Sequence, residues 1–181
     1  MKILKVFLFL IIGIIVLALV AALFINKEYV VEREVVINKP RQEVYAHIKY
    51  LKNQDNFSKW ANLDPAMQKS YRGIDGTVGF VSAWDSKQDN VGQGEQEIKK
   101  LVAGESLETE LRFIRPFKIT AAAYMTTQDY QGIATKVKWS FHGSLPYPMN
   151  LMIPLMDVKT SIASDLDVGL GNLKTSMESK K

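Results

Sequence analysis

"GTVGFVSAWDSKQDNVGQGEQEI", Gly76 to Ile98, holds four of the chain's eleven glycines, one of its three tryptophans and the triplet Gly92-Gln93-Gly94. Two readings of it lead to different proteins. A dinucleotide fingerprint needs G-x-G-x-x-G where a strand meets a helix, so that the pyrophosphate rests on the helix N-terminus. Here the third glycine position is Glu97, and Gln93, Glu95 and Glu97 set acidic and amide groups where a phosphate wants none. The residues beyond, "EIKKLVAGESLETEL", continue as strand, turn and strand and offer no helix start. The second reading is a β-hairpin. Val78, Phe80, Ser82 and Trp84 alternate with Gly79, Val81 and Ala83, and "WDSKQDN" (Trp84–Asn90) makes a polar tip. Gly79, Gly92 and Gly94 then mark bends or close backbone approaches in the flanking strands. They shape a curved sheet and grip no ligand.

The period of two continues downstream. Leu107, Thr109, Leu111 and Phe113 alternate with Glu108, Glu110 and Arg112. Ile119, Ala121, Ala123 and Met125 form a third such run, and Val137, Trp139 and Phe141 a fourth. Strands with one apolar face each describe an antiparallel sheet, covered on one side and solvated on the other. "RPF" (Arg115–Phe117) and "YQG" (Tyr130–Gly132) separate the runs. Upstream, "YVVEREVVI" (Tyr29–Ile37) reads as a strand. In "NKPRQEVYAHIKYL", Asn38 suits a helix cap, Pro40 a first turn, and Val44, Ile48 and Leu51 one apolar face. A second short helix is expected over Asn53 to Trp60, with "LDPAM" as a loop.

After the Pro-punctuated "LPYPMNLMIP", the period becomes helical. Leu155, Val158, Ile162, Leu166, Leu170, Leu173 and Met177 step by three or four, ahead of Lys180 and Lys181. A helix from Asp157 to Glu178 would be about 33 Å long. Its single apolar stripe needs one apolar sheet face. The predicted class is α+β: a curved antiparallel β-sheet wrapped around a long C-terminal α-helix, with two short helices after the first strand.

Val6 to Ile25 carries no charged side chain, and twenty helical residues rise about 30 Å, the thickness of a bilayer's hydrocarbon core. A cleaved signal would have an apolar core of about 7–15 residues and an A-x-A-like site. "ALVAA" (Ala18–Ala22) offers none that is clean, so an uncleaved anchor is the expectation. Lys2 and Lys5 precede the run, which places the N-terminus in the cytoplasm and the soluble domain outside it. The expected division is an anchor over residues 1–27 and a domain over 28–181, a single-pass membrane protein held through residues 6–25.

Composition narrows the chemistry. There is no cysteine, so disulfides, thiolate metal sites and a cysteine nucleophile are excluded. The net charge is +4 with no long basic block, which calls for no nucleic-acid partner. Two histidines, His47 and His142, cannot make a zinc site without carboxylates at unrelated positions. No G-x-S-x-G elbow is present. The pairs Glu95/Glu97 and Glu108/Glu110 each share one sheet face, as on a solvated exterior, and His142 shares one with Lys138 and Ser140. No catalytic residue, metal ligand or cofactor is assigned.

The order strand, two short helices, antiparallel strands and long C-terminal helix resembles the START-like (helix-grip) superfamily, most closely its polyketide cyclase/dehydrase-type branch. "VVINKPRQEVYAHI" is similar to the family's strand-Pro-helix entry, and "FSKWANLDPAM" to its Trp-rich second helix. "GTVGFVSAW…VGQGEQEI" resembles its Gly-bent hairpin and "LRFIRPF" the Phe-x-x-Pro-Phe between strands. "GIATKVKWSFHG" resembles its Thr-x-Val-x-Trp strand and "DVGLGNLK" the Gly-Leu-x-x-Leu-Lys of its last helix. Together they span residues 29–178. The resemblance implies a cavity between sheet and helix for a hydrophobic small molecule or lipid; some members are enzymes. The polar sets of the catalytic branches have no match here.

Within such a cavity Phe80, Trp84, Leu111, Phe113, Met125 and Trp139 should line the sheet side, Leu166 the helix side, and Gln96 should be the polar group that reaches inside. A cyclase- or dehydratase-like enzyme would draw on Gln96, Tyr124 or Asp129. A protein with a filled core would instead present only interaction surfaces.

Overall fold

The computed structural model describes residues 2–179; Lys180 and Lys181 lie outside the described residues. A long helix α1 (Lys2–Phe24) leads into strand β1 (Glu28–Ile37). Two short helices follow, α2 (Arg41–Ile48) and α3 (Leu51–Gln54), then a 3-10 turn at Trp60–Asn62. Six more strands come next: β2 (Gln68–Arg72), β3 (Val81–Asp85), β4 (Gln93–Val102), β5 (Ser106–Arg115), β6 (Ile119–Tyr130) and β7 (Ala134–Ser144). A 3-10 turn at Met149–Leu151, the short α4 (Met152–Leu155) and the long α5 (Val158–Glu178) close the chain. The seven strands form one curved antiparallel sheet in the order β1-β7-β6-β5-β4-β3-β2.

The alternation seen in the sequence becomes the sheet's two faces. Val31 pairs with Phe141 and Val35 with Val137, while Leu107 pairs with Met125 and Leu111 with Ala121, all on the concave face. The stripe of α5 lies on that face, with Ala163, Leu166, Leu170, Leu173 and Met177 buried. Val44 and Ile48 of α2, Leu51 of α3 and Phe57 complete the core. Polar ties fix the helix. Arg33 bonds Asp167 at 3.0 Å, Lys174 donates to the Val36 carbonyl at 2.6 Å, and Glu178 accepts the Asn38 backbone N–H at 2.7 Å. The C-terminal end of α5 therefore sits beside the end of β1, and its N-terminal end lies at the opposite end of the sheet, where α1 joins β1.

Gly76–Ile98 forms the hairpin. β3 and β4 pair from Val81↔Glu97 to Asp85↔Gln93. Gly79 and Gly92 adopt positive φ (87° and 64°), and a Cβ on Gly92 would stand 2.1 Å from the Arg115 carbonyl oxygen. Gly92 belongs to the turn rather than a strand, while Gly94 lies in β4 beneath the Trp84 ring.

Several local expectations differ from what forms. The helix expected over Asn53–Trp60 is instead the four-residue α3, capped by Asp75, whose carboxylate accepts the Leu51 and Lys52 N–H groups at 2.8 and 3.1 Å. Asn38 does not cap α2; Pro40 occupies the cap position and the Asn38 N–H turns to Glu178. Leu155 leaves the stripe and is 77% exposed, because Asp157 breaks the helical run with φ 47°. Strand β2, "QKSYR", has no apolar alternation and is exposed throughout, so period two gave no sign of it.

Candidate functional site

Sheet register brings the concave-face residues into cross-strand rows. One row runs Trp84, Gly94, Phe113, Ile119; the next runs Ser82, Gln96, Leu111, Ala121. Both lie toward the end of the sheet where α1 joins β1. Trp84 and Phe113 meet edge to face with ring centroids 5.8 Å apart. Trp84 fits because its partner position is Gly94: a Cβ there would lie 2.5 Å from the indole. Two further glycine–aromatic pairs line the face, Gly143 under Tyr29 and Gly169 of α5 under Trp139.

The eight candidate lining residues divide into two groups. Phe80, Met125, Trp139 and Leu166 are buried to between 0% and 4% exposure and belong to the closed core. Trp139 is gripped edge-on by Phe57 and Trp60, at 5.8 and 6.1 Å. Any molecule touching these four would first have to displace core side chains. Trp84, Gln96, Leu111 and Phe113 are only partly buried. Other partly buried apolar residues pack against the core; Ile119, Val158 and Ile162 lie on the faces that the periodicity marked, while Trp60, Met149 and Met152 were missed by sequence reading. Met149 and Met152 sit in the Pro-punctuated connection, whose irregular backbone has no periodicity to expose them.

Gln96 is the polar group of this band. Its amide donates to Thr109 Oγ1 at 3.0 Å, and Thr109 in turn donates to the Ala123 carbonyl at 3.2 Å. The relay ties β4, β5 and β6 together and orients the uncharged amide. Tyr124 and Asp129 do not join it. Tyr124 lies on the convex face against His142, ring centroids 4.8 Å apart, and exposed Asp129 accepts the Gly132 N–H in the β6–β7 turn.

Charge is concentrated on the convex face. Arg112 bonds Glu95 at 2.7 Å and Glu97 at 2.8 Å and also pairs with Glu110. The hydrogen bond from Arg112 holds the Glu97 carboxyl below the usual carboxylate range. Two grooves of about 410 and 300 Å³ open here, with His142 in both walls; Glu108, Glu110 and Lys99 line the first, Glu32 and Lys138 the second. Among the described residues no three acidic or histidine side chains stand together as a metal site would require.

The architecture has counterparts among solved structures. A protein from Nitrosospira multiformis superposes with a TM-score of 0.56 at 15% identity, over 84% of this chain and 98% of that one. Ara h 8.0201 gives 0.53 at 15% identity, over 82% and 99%. The di-domain ARO/CYC protein BexL of the BE-7585A biosynthetic pathway gives 0.60 at 13% identity, over 86% of this chain and 52% of that one. This is the helix-grip fold. No family model matches the sequence, and no curated protein matches it. At these identities the likeness concerns the fold and leaves the chemistry to the residues themselves.

Proposed function

We propose that the protein is a membrane-tethered binding module that holds a hydrophobic small molecule or lipid at the partly buried apolar band of its concave face. The observation that carries this is the division of that face. One part is sealed by α5, while Trp84, Leu111, Phe113 and Ile119 remain only partly buried. Apolar surface around one oriented amide is the composition of a small-molecule pocket.

The tether is α1. It is long and apolar enough to cross a membrane, and almost all of it is exposed in the fold. A signal sequence would pass the same test of length and composition. The lysines ahead of the run favour an N-terminus in the cytoplasm, with residues 28–181 as an extracytoplasmic domain. The end of α1 at Phe24 and the start of β1 at Glu28 support the division of the chain at residue 27.

The test is native mass spectrometry of the full chain released from nanodiscs, with organic extraction of whatever stays bound. A retained lipid or other apolar molecule that is lost in Leu111→Glu, with the fold intact by circular dichroism, supports the module. A clean apo mass that persists after incubation with a lipid extract overturns it.

A further inference from the structure

The connection between β7 and α5 has two faces. Toward the domain it offers Met149, Met152 and the buried Ile153. Away from it stand Leu155, 77% exposed, and Met156, 62% exposed, with Tyr147 also exposed. Between these lies Asn150, fully buried, whose amide donates to two carbonyls at the end of α1: Ala22 at 2.7 Å and Ile25 at 2.8 Å. The last carbonyls of a helix have no partner within it, and a single side chain here satisfies two of them. The Leu145 N–H bonds the Lys27 carbonyl at 2.9 Å, extending the same junction. Helix α1 therefore does not hang from the domain on a free linker. Its exit is clasped to the connection.

The sheet's topology places other exposed apolar groups at this end. The β5–β6 turn, with Phe117 at 55% exposure, lies here because β6 starts where β7 ends. Leu23 and Phe24, on the last turn of α1, are likewise exposed. Leu155 follows Asn150 by five residues, about 7 Å along a helical path. Exposed apolar side chains of α1 and of the domain thus lie at the same end of the sheet. The Trp84 and Gln96 rows, where the candidate binding band lies, are toward the same end of the sheet.

We propose that this end of the domain lies against the bilayer: Asn150 locks the exit of α1, and Leu155, Met156, Tyr147 and Phe117 enter the lipid interface around the mouth of the binding band. The occupant is the lipid surface in which α1 is anchored. The proposal rests on the membrane reading of α1. Tyr147 suits such a place, with an apolar ring and a polar tip. A ligand of the band would then pass between bilayer and domain without crossing water.

Because the chain has no native cysteine, single labelling sites can be placed at will. Full-length Leu155→Cys and Phe117→Cys would carry nitroxide labels in phosphatidylcholine–phosphatidylglycerol vesicles. Ile133→Cys and Ile74→Cys serve as controls; both native residues are exposed, at 77% and 75%, in turns at the far end of the sheet. The expected result is a several-fold higher ratio of oxygen to nickel-chelate accessibility at 155 and 117 than at 133 and 74. Equal, aqueous ratios at all four sites in protein that floats with the vesicles overturn the proposal. So does failure to float, which removes the anchor, and so does cross-linking between Leu155→Cys copies, which would show a second copy covering the patch. Adding Asn150→Ala should lower the ratio at 155 while flotation persists; an unchanged ratio removes the clasp from the proposal. The readout needs no bound ligand, so loss of the binding module, read as a clean apo mass, is distinguishable from loss of the bilayer contact, read as aqueous label depths.

Discussion

The β1–β7 side of the concave face and its β3–β5 side are built from similar side chains but are covered to different extents. On the first side α5 lies directly over the strands, and Trp139 is enclosed by Phe57, Trp60 and the helix glycine Gly169. On the second side, among the described residues, α5 makes no extensive contact with β3, β4 or β5, and Trp84, Leu111 and Phe113 stay partly exposed. Aromatic content therefore does not distinguish core from site. What distinguishes them is where one helix comes to rest on a sheet wider than itself.

The largest effect should come from emptying the covered side. Trp139→Ala removes a buried ring from a close-packed site and should destabilise by about 3–5 kcal/mol. Phe113→Ala, on the open side, should cost about 1 kcal/mol while weakening retention of an apolar dye or lipid. Hydrogen exchange of the sheet amides in nanodisc-reconstituted protein measures both, since the slowest amides report global opening. Equal losses at the two positions would erase the distinction between the two sides.

Gly94 tests the open side more finely. Its added methyl would meet the Trp84 ring at 2.5 Å and the Arg112 carbonyl oxygen at 2.7 Å. The ring can swing away, but the carbonyl belongs to β5 and cannot move without disturbing the ladder. Gly94→Ala should cost about 1–3 kcal/mol. It should also change the emission of Trp84, which is resolved from the other tryptophans in a Trp60→Phe, Trp139→Phe background. A stable variant with unmoved emission would mean that Trp84 does not pack against the strand.

The layering of the fold was legible in the sequence because it depends on periods. Alternation at 107–113, 119–125 and 137–141 and the three-four stepping of α5 each record a burial pattern that local residues carry by themselves. What could not be read was set by distant partners or by placement. The limits of α3 depend on Asp75, more than twenty residues downstream. β2 is held by pairing with β3, and its own residues show only polarity. The pattern that marks all eight candidate residues is their facing toward the concavity, and facing alone does not separate Phe80 and Met125 in the core from Leu111 and Phe113 in the open band. The Asn150 clasp left no signal either, because a lone asparagine among prolines reads as turn chemistry.

The smallest effect concerns the tie that fixes where α5 rests, and so where the covered side stops. The Glu178 carboxyl is held below its ordinary range, first by the Asn38 backbone N–H and further by Lys174, 3.5 Å away. A carboxyl whose pKa is lower in the folded state adds stability that is present above its unfolded value, about 4.3, and is lost as pH falls through the folded value. Glu178→Gln keeps the size and an oxygen that can accept the Asn38 N–H, but it does not titrate. The variant should therefore be slightly less stable than the parent near neutral pH and equal to it once the parent's carboxyl is protonated. Asp64, held low by the Ser86 hydroxyl, and Glu97 keep their own acid dependence, so the limb should flatten without vanishing. Thermal unfolding of both proteins across the acid range gives the comparison. Parallel curves down to the most acid point would mean that the Glu178 charge does not help seat the helix, leaving Arg33–Asp167 and the Lys174–Val36 bond to set the boundary between sealed core and open band.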